Sequence, residues 1–109
     1  MTTVIIKKNE NGIYKGFTCM GHAGFAKSGK DIVCAAVSIL VINTINSMEE
    51  LANEDMDIVT NEESGFIDCR LKSVLSKEGI LLIDSMILGL SGIAKEYGSK
   101  YLALKFEEV

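Results

Sequence analysis

Between Ile32 and Ile45 the chain is apolar at nearly every position: Ile32, Val33, Ala35, Ala36, Val37, Ile39, Leu40, Val41, Ile42 and Ile45. Wound at about 3.6 residues per turn, these side chains occupy almost the whole circumference of a helix. A helix that is apolar all round must be covered on more than one side. In a chain of 109 residues a second subunit is the simplest way to cover what the domain leaves open, so a homodimer is expected. Ser38, Asn43 and Thr44 break the stretch, which is shorter than the roughly 20 residues a membrane-spanning helix needs. A second apolar stretch, Ile80 to Ala94, carries Asp84 in its middle. Both read as core helices of a soluble protein, with no membrane partner.

The segments around these helices alternate at the period of strands. Val4 to Lys8 is a short β-branched run, Asn9-Glu10-Asn11-Gly12 is a turn with an Asn-Gly pair, and Ile13 to Met20 completes a hairpin. Gly21 to Lys30 holds three glycines without apolar periodicity and reads as a loop. Asp31 is placed to cap a helix from Ile32 to about Ala52. Met56 to Asn61 and Phe66 to Lys72 are strands joined by Glu62-Glu63-Ser64-Gly65. In the second of them Ile67, Cys69 and Leu71 alternate with Asp68 and Arg70, a half-buried pattern. A helix over about Lys77 to Tyr97 ends at Gly98 as its C-cap, and Tyr101 to Phe106 closes the chain as a strand. The order ββαββαβ, without linker, repeat or low-complexity segment, predicts one α+β domain over residues 1–109, with a largely antiparallel sheet and two helices packed on one face.

Eleven Lys plus Arg against fifteen Asp plus Glu give a net charge of −4 and a pI near 4.9. Such a surface repels phosphate backbones, so direct nucleic-acid binding is not expected, and it attracts basic peptides. Three cysteines without a disulfide spacing point to reduced thiols and a cytoplasmic chain. Met1-Thr2-Thr3-Val4-Ile5-Ile6-Lys7-Lys8 has no basic region ahead of an apolar stretch and no small-residue cleavage site, so it is not read as a signal peptide.

The single histidine, His22, stands where the second strand gives way to the loop, and Cys34 follows twelve residues later. With Asp31 as cap, Cys34 takes the third helical position, where unpaired N–H groups and the helix dipole favour a thiolate. A loop folding back to bring His22 beside Cys34 gives a nucleophile and a general acid–base, the minimum for acyl transfer, with the N–H groups of Cys34 and Ala35 available to an oxyanion. A cysteine on an apolar helix is also an ordinary core residue. Cys19 and Cys69, on strands with apolar neighbours, are read as core. Gly24-Phe25-Ala26-Lys27-Ser28-Gly29-Lys30-Asp31 nearly matches a phosphate-binding loop but ends in Asp in place of Ser or Thr. Cys19, His22 and Cys34 form at most an incomplete metal-ligand set. These two patterns leave a non-enzymatic metal- or nucleotide-binding regulatory module as the alternative to an enzyme; no cofactor is expected for the enzyme.

Gly21-His22-Ala23, a Gly-containing loop, and Gly29-Lys30-Asp31-Ile32-Val33-Cys34-Ala35-Ala36-Val37-Ser38 together resemble the signature of the Prp family of ribosomal-processing cysteine proteases. Length and element order resemble that family over essentially the whole chain. The resemblance implies a cytoplasmic homodimer that removes a short N-terminal extension from large-subunit ribosomal protein number twenty-seven. It implies Cys34 as nucleophile and His22 as base, with Gly21, Asp31 and Ser38 supporting them. It also implies a substrate-covering loop formed by Ala23, Gly24, Phe25, Ala26, Lys27, Ser28, Gly29 and Lys30. Asp31 either orients His22 or caps the helix, and the Ser38 hydroxyl either serves the site or bonds its own helix backbone.

Overall fold

A computed structural model describes residues 1–21 and 28–109. β1 (Thr2–Lys8) and β2 (Tyr14–Met20) form the expected hairpin. Its turn is closed by Asn9, whose side-chain Oδ1 accepts from the N–H groups of Asn11 and Ile13. Gly12 takes a φ of +77° there, the left-handed conformation for which an Asn-Gly pair is suited. β3 (Met56–Asn61) and β4 (Phe66–Leu71) form a second hairpin, and β4 pairs antiparallel with β2. β5 (Leu102–Glu108) lies parallel to β1 at the far edge, giving the sheet order β3-β4-β2-β1-β5.

α1 (Ser28–Ala52) and α2 (Lys77–Tyr97) share a single core with one face of that sheet. Val4 and Ile6 of β1, Phe17 and Cys19 of β2, Cys69 and Leu71 of β4 and Leu102 of β5 meet Val33, Val37, Val41 and Met48 of α1 and Ile83, Met86 and Leu90 of α2. Cys19 and Cys69 are therefore core residues, as read from the strand pattern. Ser76 caps α2: its hydroxyl accepts from the Gly79 N–H at 3.1 Å and donates to Glu54 at 2.9 Å. At the other end Gly98 sits at φ +93° and its N–H closes the helix on the Ala94 carbonyl, so the C-cap stands where the sequence placed it.

The boundary that matters most for the site differs from the sequence reading. α1 begins at Ser28, four residues before Ile32, so Ser28, Gly29 and Lys30 belong to the helix and Asp31 lies inside it. No proline forbids helical dihedrals there, and in sequence Ser28 and Asp31 have the spacing of a capping box, a start signal one turn earlier than Asp31 alone. Ile32–Ala52 also has the length and apolar composition of a membrane span, longer than the Ile32–Ile45 stretch judged too short from sequence. Its Val33, Val37, Val41 and Met48 are instead spent on the core just described.

Candidate active site

The site grows from the first residues of β1. Thr2, Val4 and Ile6 alternate at the strand period and share its core face, so the Thr2 hydroxyl continues an apolar row and is only 3% exposed. The Thr2 N–H donates to the Tyr101 carbonyl at 3.0 Å, just before β5 begins, which fixes the residue's backbone. Above it, α1 turns Val33 and Val37 into the core and leaves Cys34 half-buried between core and surface. The Cys34 Sγ lies 3.2 Å from the Thr2 Oγ1. The same hydroxyl lies 3.5 Å from the carbonyl of Gly21, to which it can donate only weakly.

Gly21 is the residue from which the chain enters the His22 segment. It takes a φ of +94°, and a Cβ there would stand 2.2 Å from the Met1 carbonyl oxygen and 3.1 Å from the Thr2 Cα. Only glycine allows β2 to end this close to the start of β1. One hydroxyl is thus touched from one side by the thiol and from the other by the residue preceding the histidine. His22 and the loop residues Ala23, Gly24, Phe25, Ala26 and Lys27 lie outside the described residues, as does the corresponding part of the phosphate-loop pattern.

Cys34 is the seventh residue of α1, in its second turn, and not the third helical residue that the cap at Asp31 would have made it. The helix dipole acts mainly on the first turn. Beyond the first four residues, helical N–H groups are taken by the carbonyls one turn back, so those of Cys34 and Ala35 belong to the helix ladder and are not free for an oxyanion. Two other thiols set Cys34 apart. Burial, and then the nearby Cys34, push the Cys19 thiol up to about 11. Burial, and then Asp68, push the Cys69 thiol up to about 12. Both stay protonated and shielded at neutral pH, and Cys34 is the cysteine with an open side.

Ser38 lies one turn after Cys34 and is exposed. It stands at one end of a groove of about 470 Å³ between α1 and the β3–β4 hairpin, lined by Ile42, Ile45 and Asn46 of α1 and by Ile58, Phe66 and Ile67 of the hairpin. The groove is mostly apolar, flanks the edge strand β3 and leads away from the thiol. Among the described residues no three His, Cys, Asp or Glu side chains are grouped to hold a metal ion. Sequence reasoning missed Thr2. The signal was available in the Thr2-Val4-Ile6 alternation, which carries the strand two residues further back than its β-branched run.

The family model for the cysteine protease Prp matches residues 1–102. The ribosomal processing cysteine protease Prp of Staphylococcus aureus (strain NCTC 8325) is 31% identical over 97 residues, covering 89% of this chain and 92% of that protein. The protein of the same name from Bacillus subtilis is 32% identical, covering 85% of this chain and 86% of its own. The crystal structure of the essential ribosomal processing protease Prp from S. aureus with a substrate peptide superposes with a TM-score of 0.90 at 28% identity, covering 98% of this chain and 100% of the other. A second crystal structure of the S. aureus protease, with a covalently linked product peptide, gives 0.87 at 29% identity with the same coverage.

Proposed function

This chain belongs to the Prp family of cysteine proteases, and from that membership and its site we propose that it is an endopeptidase that removes the N-terminal extension of large-subunit ribosomal protein number twenty-seven. The observation that carries the reading is the meeting at one buried hydroxyl of the Cys34 thiol and the residue that leads into His22. The S. aureus relative with a covalently linked product peptide supports a covalent route through a cysteine.

In this reading His22 accepts the Cys34 proton and the thiolate attacks the scissile carbonyl carbon. The tetrahedral intermediate collapses as His22 returns the proton to the departing amine, leaving a thioester on Cys34. Water, deprotonated by His22, then attacks the thioester and frees the new carboxyl end together with the thiol. α1 begins three residues before Asp31, so Asp31 is not its N-cap residue. Ser38 marks the entrance of the groove, whose Ile42, Ile58 and Phe66 walls suit apolar side chains of an extended peptide. The charge of −4 suits basic residues beyond them.

The homodimer and the cytoplasmic location belong to the same proposal. Ile32 and Ile39 stand two turns apart on α1 and remain 56% and 69% exposed in the single chain. Three unpaired cysteines fit a reducing compartment. The test is incubation of wild type and Cys34→Ala with the extended ribosomal protein, read by mass. Removal of the extension by wild type alone is expected, and cleavage by the variant would end the proposal. Sedimentation at micromolar concentration is expected to give the mass of a pair, and 12-kDa particles alone would refute the dimer.

A further inference from the structure

We propose that Thr2 is a positioning residue for the Cys34 nucleophile, holding the sulfur and supplying a hydrogen bond that follows its charge. The inference rests on the reading of Cys34 as nucleophile. It stands on three observations: the 3.2 Å approach of Thr2 Oγ1 to the Cys34 Sγ, the 97% burial implied by the 3% exposure of Thr2, and the backbone bond from Thr2 to Tyr101 that keeps the hydroxyl in place.

A threonine hydroxyl has one proton, and two acceptors compete for it here. When Cys34 is a thiol, its S–H can donate to the Thr2 oxygen and the Thr2 proton is left for the Gly21 carbonyl, 3.5 Å away and weakly held. When Cys34 is a thiolate it can only accept, and the Thr2 proton turns to the sulfur in a charge-assisted bond of the stronger kind. The exchange trades a weak S–H donor and a long neutral bond for one bond to an anion, so Thr2 holds the sulfur in both of its forms. Because the hydroxyl also touches Gly21, the same turn of the proton loosens or fastens the residue next to His22.

Two substitutions separate this role from simple packing. Thr2→Val keeps the shape and removes the hydroxyl, and Thr2→Ser keeps the hydroxyl and removes the methyl. For each variant, unfolding by urea is measured first, then the rate of Cys34 alkylation by iodoacetamide at neutral pH without substrate, then kcat and KM on the extended ribosomal protein. A bond to a charged group is worth enough to change the thiolate population by more than ten-fold, and about half of that gain is offset by the lower nucleophilicity of the better-stabilised thiolate. Thr2→Val is therefore expected to slow alkylation by about three- to ten-fold and to lower kcat with KM little changed, and Thr2→Ser is expected to restore both. A packing role predicts the reverse order, with Val tolerated and Ser impaired, and that order would overturn the proposal. Alkylation of Thr2→Val at the wild-type rate would overturn it as well. If Cys34→Ala still cleaves, the reading of Cys34 as nucleophile is what fails; if Cys34→Ala is inactive and Thr2→Val behaves as wild type, the role of Thr2 alone fails.

Discussion

Replacing Gly21 with alanine tests the close approach on which the site is built. The residue sits at φ +94°, where an L side chain costs about 1–3 kcal/mol in backbone strain. The added Cβ would also stand 2.2 Å from the Met1 carbonyl, well inside the 3.4 Å at which ordinary contact begins. The neighbour is backbone, so the start of β1 must shift by about an ångström, and with it the Thr2 bonds to Tyr101 and Cys34. Losing one or two such bonds adds roughly 0.5–1.5 kcal/mol each, for a total of about 1.5–6 kcal/mol. Gly12→Ala is the internal control: it also has a positive φ, +77°, but nothing lies within 4 Å of its Cβ. Both variants lose the same unfolded-state entropy, so that contribution cancels in the comparison. Urea unfolding of the two proteins is expected to place Gly21→Ala roughly 0.5–3 kcal/mol below Gly12→Ala, with slower alkylation of Cys34 in the folded protein. Equal stabilities would show that β2 and β1 are not packed as tightly at this point as the geometry requires.

Stability should fall at alkaline pH, because Cys19 and Cys69 are held at about 11 and about 12, against 9.0 for a free thiol. With raised folded values, the folded state keeps its protons longer, so the contribution is whole below pH 9 and is lost as pH rises toward 11–12. Urea midpoints at pH 8 and pH 10.5 should differ by an amount of order 2 kcal/mol per thiol, and a midpoint that does not drop would contradict the burial of both. Ser76→Ala should cost about 1–2 kcal/mol by removing the cap of α2 and its bond to Glu54. Cleavage measured well below the melting temperature should be unaffected, since Ser76 makes no contact with Cys34 or Thr2; a selective loss of activity would tie α2 to the site.

What the sequence made legible was local. Asn11-Gly12 announced a hairpin because an Asn-Gly pair suits the left-handed turn it forms, and Gly98 marked the end of α2 for a similar reason. Ile67, Cys69 and Leu71 fixed the core face of β4 by alternation alone. The start of α1 was harder to read, since Ser28 and Asp31 both carry start signals and the glycines around Ser28 favour a loop. The parallel pairing of β1 with β5 depends on residues about a hundred positions apart and leaves no local mark. The alternation of Thr2, Val4 and Ile6 marks the core face of β1, but what Thr2 meets there is set by distant residues. An isolated threonine near the start of the chain is unremarkable until Tyr101 and Cys34 are brought to it.

That parallel edge has a bearing on the order of synthesis. A nascent chain that has emerged only as far as β4 already contains Cys34 and both hairpins, but the partner that anchors Thr2 through Tyr101 is still to come. The sulfur's surroundings are complete only once the last strand docks beside the first.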